Sequence, residues 1–244
     1  MSLKLKQFST LTFDCYGTLI DWESGIWDAF QPLLVHNQAD FTRQDLLGQY
    51  SLVETAQEVE TPDLLYPDLL TIVHNKVAAK LDLVTNDGLD RDFGASVPHW
   101  PAFPDTADAL RILKKHFNLV ILSNVNNAGF AASNRKLGVE FDAIYTAEKI
   151  GSYKPNPANF DYMLEHLERD LGVEKAEVLH TAQSLHHDHV PAKAMGLNNA
   201  WIDRQGLANS ENWGATARVE NRPDYDFIFS TMGDMARAVE SESE

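Results

Sequence analysis

Phe8-Ser9-Thr10-Leu11-Thr12-Phe13-Asp14-Cys15-Tyr16-Gly17-Thr18-Leu19 decides the fold: residues 8–13 are apolar and β-branched, and they stop at once on Asp14 and Gly17. Such a run reads as a short buried strand ending in a loop. The same form recurs at residues 117–122, which end on Ser123-Asn124, and at residues 141–146, 178–181, 200–202 and 227–229. Helical patterns lie between these runs. Residues 104–115 carry Ala107, Leu110, Ile112 and Leu113, with Asp105 at the start and Lys114-Lys115 at the end, a charge order that suits the helix dipole. Residues 157–171 repeat the pattern through Phe160, Met163, Leu164, Leu167 and Leu171. Residues 189–195 place Pro191 in a first turn, and Gly196 serves as the stop.

Strands alternating with helices predict an α/β fold, a Rossmann-like parallel sheet with helices on both faces. Residues 21–97 break the alternation. Ile26-Trp27, Phe30, Leu33-Leu34, Leu46-Leu47, Tyr50, Val53 and the stretch from Leu64 to Leu83 read as all-helical. The expected organisation is therefore a core of residues 1–20 and 98–244, with residues 21–97 inserted as a helical cap. In parallel sheets the binding crevice lies beyond the carboxyl ends of the strands. Asp14, Ser123 and the loop after Thr181 all fall at such ends.

Charge and composition narrow the partners. The chain has 244 residues and a formal net charge of −16. An acidic surface repels phosphate backbones and anionic lipid headgroups, which disfavours nucleic acid and membranes. A small anionic substrate then requires a local positive island of Lys, Arg or backbone N–H groups. Cys15 is the single cysteine, so no internal disulfide forms, and a reducing cytoplasm is expected. Gln7, Ser9, Thr10 and Thr12 interrupt the start of the chain, which does not read as a signal peptide. No run approaches the ~18 apolar residues of a membrane span.

Four features at the strand ends carry chemistry. Asp14, beside a turn that Gly17 permits, is placed as a nucleophile, although a lone Asp is more often a turn or cap residue. Ser123 and Asn124 offer a hydroxyl and an amide, or simply begin a loop. Lys154, in Ser152-Tyr153-Lys154-Pro155, can neutralise and orient Asp14, or stand in solvent as most lysines do. In Ala182-Gln183-Ser184-Leu185-His186-His187-Asp188-His189, Asp188 can orient Lys154 or activate a water. Adjacent histidines point different ways and lack zinc-site spacing, so no metal is expected from them.

In this order, the four features resemble the four motifs of the haloacid dehalogenase superfamily. The resemblance covers nearly the whole chain, the helical insertion included. It implies an Asp nucleophile that forms a covalent ester or acyl phosphate, which water then hydrolyses. The phosphatases of the superfamily carry a second Asp two residues after the nucleophile. Here that position is Tyr16, and His187 precedes a single Asp188 where paired acids are usual. The first motif is instead similar to that of the L-2-haloacid dehalogenase branch. That likeness implies attack by Asp14 on the sp3 carbon of a small carboxylate substrate, with no metal and no cofactor. Asp14, Lys154 and Asp188 would be catalytic, and Tyr16, Thr18, Ser123, Asn124 and Ser184 would bind substrate. Homodimers are common among such relatives.

Two departures stand out. Dehalogenases receive the halide on a cap arginine, and no arginine lies between Asp45 and Lys80; Arg43 and Arg91 lie outside the expected wall. The fourth motif reads Ala182-Gln183-Ser184 where Ser-Ser-Asn is usual. Residues 12–22, 100–106, 151–157 and 180–189 also resemble the ring-opening hydrolases of that branch, which act on L-azetidine-2-carboxylate. A magnesium-dependent phosphatase and a non-catalytic binding relative are the other readings.

Overall fold

The computed structural model describes residues 3–210 and 215–242. Six strands, β1 (Thr10–Phe13), β2 (Asn118–Ser123), β3 (Ala143–Thr146), β4 (Val178–Ala182), β5 (Asn198–Ile202) and β6 (Phe227–Phe229), form one sheet in the order β3-β2-β1-β4-β5-β6. Every neighbouring pair is parallel. β1 is central, and its register sets Phe13 against Ile121 on one side and Thr181 on the other. The residues that follow these three strands therefore emerge at one edge of the sheet.

Burial on both faces explains the unbroken apolar runs. Successive side chains of β2 alternate between two cores. Leu119 and Ile121 join the larger cluster, and Val120 and Leu122 join the smaller. β1 begins two residues later than its apolar run. Ser9 hydrogen-bonds through its N–H to Glu177, and Phe8 packs edge-on to Phe227 at 6.4 Å.

Between β1 and β2 run four helices, α1 (Trp22–Asn37), α2 (Arg43–Glu60), α3 (Tyr66–Lys80) and α4 (Asp87–Gly94). Asp21, Thr42 and Asn86 accept backbone N–H bonds at the starts of α1, α2 and α4. The helices close on an aromatic cluster in which Phe30 stands 4.5 Å from Phe93 and 5.3 Å from the His74 ring. This cluster is continuous with the core under the sheet. The seam passes through Trp100, whose indole lies so close to α1 that a Cβ on Gly25 would stand 2.2 Å from its Cγ.

After the insertion come α5 (Thr106–Leu113), α6 (Asn127–Leu137), α7 (Ala147–Ile150), α8 (Pro157–Leu171), α9 (Val190–Ala194) and α10 (Met232–Ser241). Leu110, Phe130 and Met235 of α5, α6 and α10 enter the larger cluster, while Phe160, Met163 and Ala192 of α8 and α9 enter the smaller. Periodicity does not announce α6, whose large apolar side chains are only Phe130 and Leu137. Its caps define it: the Asn126 side chain accepts from Gly129, and Gly138 turns left-handed at φ 67°. No helix among the described residues is long and apolar enough to cross a membrane.

Two glycine replacements check this packing. Gly25→Ala forces methyl against indole and is expected to destabilise the protein by about 1–3 kcal/mol in urea unfolding. Gly48→Ala, in open space on α2, should instead stabilise it by about 0.5–1 kcal/mol.

Candidate functional site

Asp14 directly follows β1, and its N–H is bonded to Thr181 of β4. The chain then folds back sharply. Gly17 takes φ 98°, a conformation that side chains disfavour, and Gly17, Leu19 and Ile20 close the turn through backbone bonds. The turn brings Thr18 beside Asp14, and its hydroxyl donates to Asp14 Oδ2 at 2.8 Å. Thr18 Oγ1 in turn accepts the N–H of Gln183 at 2.9 Å, tying the first motif to the loop after β4.

Lys154 is almost wholly buried, and its ammonium has three N–H groups to place. They go to Asp14 Oδ1 at 3.0 Å, Asp188 Oδ1 at 2.7 Å and the Leu122 carbonyl at 2.9 Å. Asn124 grips the backbone of Lys154 from both sides: its Oδ1 accepts the Lys154 N–H at 2.7 Å, and its Nδ2 donates to the Lys154 carbonyl at 3.0 Å. Asp188 Oδ1 also accepts His180 Nε2–H at 2.9 Å, and His180 Nδ1 stands 2.8 Å from Thr12 Oγ1. A chain of polar contacts thus runs Thr12, His180, Asp188, Lys154, Asp14.

Burial pushes the Asp14 carboxyl above the ordinary carboxylate range; Lys154 and the Thr18 bond pull it back, while Asp188 pushes further. For Lys154, burial opposes the charge, but Asp14 and Asp188 outweigh it and hold the ammonium above its ordinary value. For Asp188, burial likewise opposes ionisation, and Lys154 and His180 overcome it, leaving the carboxyl far below its usual range.

Opposite Asp14, the helical insertion supplies a second wall. A small cavity of about 70 Å³ is bounded by Asp14, Lys154 and Asp188 on one side and by Trp22, Glu54, Glu58 and Tyr66 on the other. Glu54 Oε1 accepts hydroxyls from Tyr66 at 2.6 Å and Tyr50 at 3.0 Å. Burial, with Glu58 nearby, lifts the Glu54 carboxyl to about 7. Glu58 is deeply buried; its Oε1 accepts Asn124 Nδ2–H at 3.0 Å, and its Oε2 lies 3.2 Å from His187 Nε2. Burial opposes the His187 charge, but Glu58 outweighs it and raises the ring to about 8.

The three histidines of the fourth motif separate as adjacent residues of a turn must. Leu185–His189 is a single π-helical turn, with Ser184 Oγ accepting the His187 N–H. His187 enters the cavity. His189 turns inward to the Ala182 carbonyl and to Asn199, and burial pushes it down to about 4. His186 is held below its ordinary value by burial. Among the described residues, no group of three His, Cys, Asp or Glu side chains is placed to hold a metal ion.

The predicted site residues mostly converge. Asp14, Tyr16, Asn124, Lys154, Ser184 and Asp188 line the cavity, and Thr18 touches Asp14 from behind. Ser123 is the exception: it is buried, its hydroxyl has no partner among the described residues, and it does not line the cavity. Tyr16 turns its hydroxyl away from Asp14 to Ser133 of α6 at 3.0 Å, with its ring edge-on to Trp100 at 5.3 Å. Arg43 lies outside this cavity and donates to Ser24. Glu54, Glu58, His180 and Gln183 are not legible as site residues in the sequence. A clue exists for the glutamates: Tyr50, Glu54 and Glu58 recur every four residues on α2, which stacks them on one face.

A model of the haloacid dehalogenase-like hydrolases matches residues 8–181, and the chain belongs to that family. No curated protein matches it. Among solved structures it is similar to a defluorinating L-2-haloacid dehalogenase, with a TM-score of 0.77 at 18% identity over 99% of this chain and 100% of the other. The L-2-haloacid dehalogenase of Xanthobacter autotrophicus gives a TM-score of 0.77 at 20% identity, over 97% and 100% of the two chains. A third L-2-haloacid dehalogenase gives 0.73 at 25% identity, over 96% and 100%.

Glu54 and His187 both bind a proton more tightly folded than unfolded. Their contribution to stability is full below their unfolded pKa values and is lost as pH rises through about 7 and about 8. The thermal midpoint is therefore expected to fall between about pH 5 and about pH 8, the lower half of the fall coming from Glu54 and the upper from His187. Glu54→Gln should flatten that fall; an unchanged pH profile in scanning calorimetry would refute the assignment.

Proposed function

We propose that the protein is a metal-independent hydrolase in which Asp14 attacks an sp3 carbon of a small carboxylate substrate, in the manner of an (S)-2-haloacid dehalogenase. The observation that carries this reading is the buried ammonium of Lys154 bonded to both Asp14 and Asp188, together with Tyr16 two residues after Asp14. Phosphoryl transfer in this family calls for an acid at that position. A tyrosine hydroxyl paired with Ser133 supplies no carboxylate there.

In the proposed reaction the Asp14 carboxylate displaces the leaving group at carbon, whose bonding pair departs with it. An aspartyl ester results. Water then attacks the Asp14 carbonyl carbon, releasing the alcohol and restoring the carboxylate. Lys154 holds Asp14 through Oδ1 and Thr18 holds it through Oδ2, so the nucleophile is oriented before substrate arrives. Asp188 keeps Lys154 in place, and its Oδ2, buried at the cavity and without a hydrogen bond, is free to accept one from the hydrolytic water.

A second reading is ring opening of a small cyclic amino acid, as in L-azetidine-2-carboxylate hydrolase. The wall that faces Asp14 favours it, because Glu54 and Glu58 stand there and no arginine lines the cavity among the described residues. A departing halide gains nothing from two carboxylates.

Incubation with L-2-chloropropionate in EDTA is expected to release chloride, and Asp14→Asn should reduce turnover by at least about 10³-fold. Mass spectrometry after a single turnover in H₂¹⁸O should find the label in Asp14. Absence of label during turnover would sink the covalent mechanism. Ring opening without chloride release would select the second reading.

A further inference from the structure

We infer that His180 is a positioning residue for the second half of the proposed reaction: through its Nε2–H it fixes the plane of the Asp188 carboxylate, so that Oδ2 is the oxygen presented to the water that opens the Asp14 ester. This rests on the hydrolytic reading for the existence of that ester, although the place of the His180 proton can be measured without it.

The two oxygens of Asp188 are unlike. Oδ1 accepts two N–H groups, from Lys154 Nζ at 2.7 Å and from His180 Nε2 at 2.9 Å. Oδ2 is buried and accepts none, and Asp188 lines the cavity beside Asp14. The terminal torsion of an aspartate is soft. One contact with the tip of a long lysine chain leaves the carboxylate able to pivot about the shared oxygen. A second donor, arriving from another stretch of chain, removes that freedom.

His180 is built to hold still. It stands on β4, opposite Thr12 of β1 in the sheet register, and not on the turn that carries Asp188. The side chain is fully buried, with its ring edge-on to Phe160 of α8 at 5.2 Å. Its Nδ1 lies 2.8 Å from Thr12 Oγ1. A Thr12 hydroxyl that donates to Nδ1 leaves the ring proton on Nε2, where Asp188 receives it; the bond made by one ring nitrogen sets the tautomer of the other. β4 also accepts the Asp14 N–H, at Thr181. One strand therefore holds the nucleophile and, through His180, the group that acts on its ester.

The two halves of the reaction make different demands. In the first, Asp14 bonds to carbon and the leaving group departs with its electron pair; Asp188 Oδ2 has no part in it. In the second, the water oxygen bonds to the Asp14 carbonyl carbon, and one water proton passes by way of Oδ2 to the alcohol oxygen. That oxygen keeps the electron pair of the broken acyl C–O bond, and the second water proton goes to solvent as Asp14 returns to carboxylate. A loosened Asp188 therefore slows hydrolysis of the ester and spares its formation. A His180 that only filled the core would, on removal, slow both halves alike.

The test follows formation and decay of the Asp14 ester by rapid-quench mass spectrometry with L-2-chloropropionate, or with L-azetidine-2-carboxylate where ring opening is the activity found. His180→Leu is expected to slow decay at least about 10-fold while formation stays within about twofold, so that ester accumulates. kcat and KM should then fall together and leave kcat/KM, which reports the steps up to leaving-group departure, nearly unchanged. His180→Gln, which keeps an N–H donor, should recover most of the decay rate. Thr12→Val, which removes the partner of Nδ1, should slow decay in the same direction by less, and it carries the test if the leucine variant does not fold. Nitrogen NMR of the wild-type imidazole should find the proton on Nε2. Equal slowing of both halves, unchanged decay, or a proton on Nδ1 alone would overturn the inference and leave the hydrolytic reading standing. A proton on Nε2 in a protein that forms no Asp14 ester from either substrate would overturn the hydrolytic reading instead.

Discussion

A buried lysine ammonium is costly unless its charge is matched and its protons are placed. Lys154 meets both demands, and most of the site is arranged around doing so. Asp14 and Asp188 match its charge, the Leu122 carbonyl takes the third proton, and Asn124 fixes its backbone. With Lys154 itself, these groups come from four separate stretches of chain. Their meeting requires β1 at the centre of the sheet with β2 and β4 on its flanks, so the strand order and the ion triad imply each other. Removing one member would leave an uncompensated charge in a dry place, which is why the triad serves both fold and chemistry.

The second wall follows a different logic. On the core side of the cavity one cation, Lys154, is shared between two carboxylates. On the α2 side Glu54 accepts two tyrosine hydroxyls, and Glu58 faces the His187 ring at 3.2 Å. A cavity with a fixed cation on one wall and acidic side chains on the other can discriminate among ligands by charge as well as by size. The family match spans Asp14, Asn124 and Lys154 of the first wall. The second belongs to this chain's own helical insertion, in which no arginine occurs between Asp45 and Lys80.

The sequence by itself determined the layered α/β plan, because strands buried on both faces leave unbroken apolar runs and the helices between them leave a 3.6-residue period. It also singled out Asp14, Lys154 and Asp188 as candidates, since each lies in a segment that follows an apolar run. α6 escaped because its ends are set by Asn126 and Gly138 and not by an apolar stripe. What only the tertiary structure decided is what faces what. Ser123 and Asn124 are neighbours in sequence, yet one is sealed in the core and the other braces Lys154. Tyr16 spends its hydroxyl on α6, and Glu54 and Glu58 look like solvated helix charges until α2 is laid over the end of the sheet. The physical reason is that strand ends are local events, written in a few adjacent residues. The apposition of a helix from one segment with strand ends from others depends on packing across the whole chain.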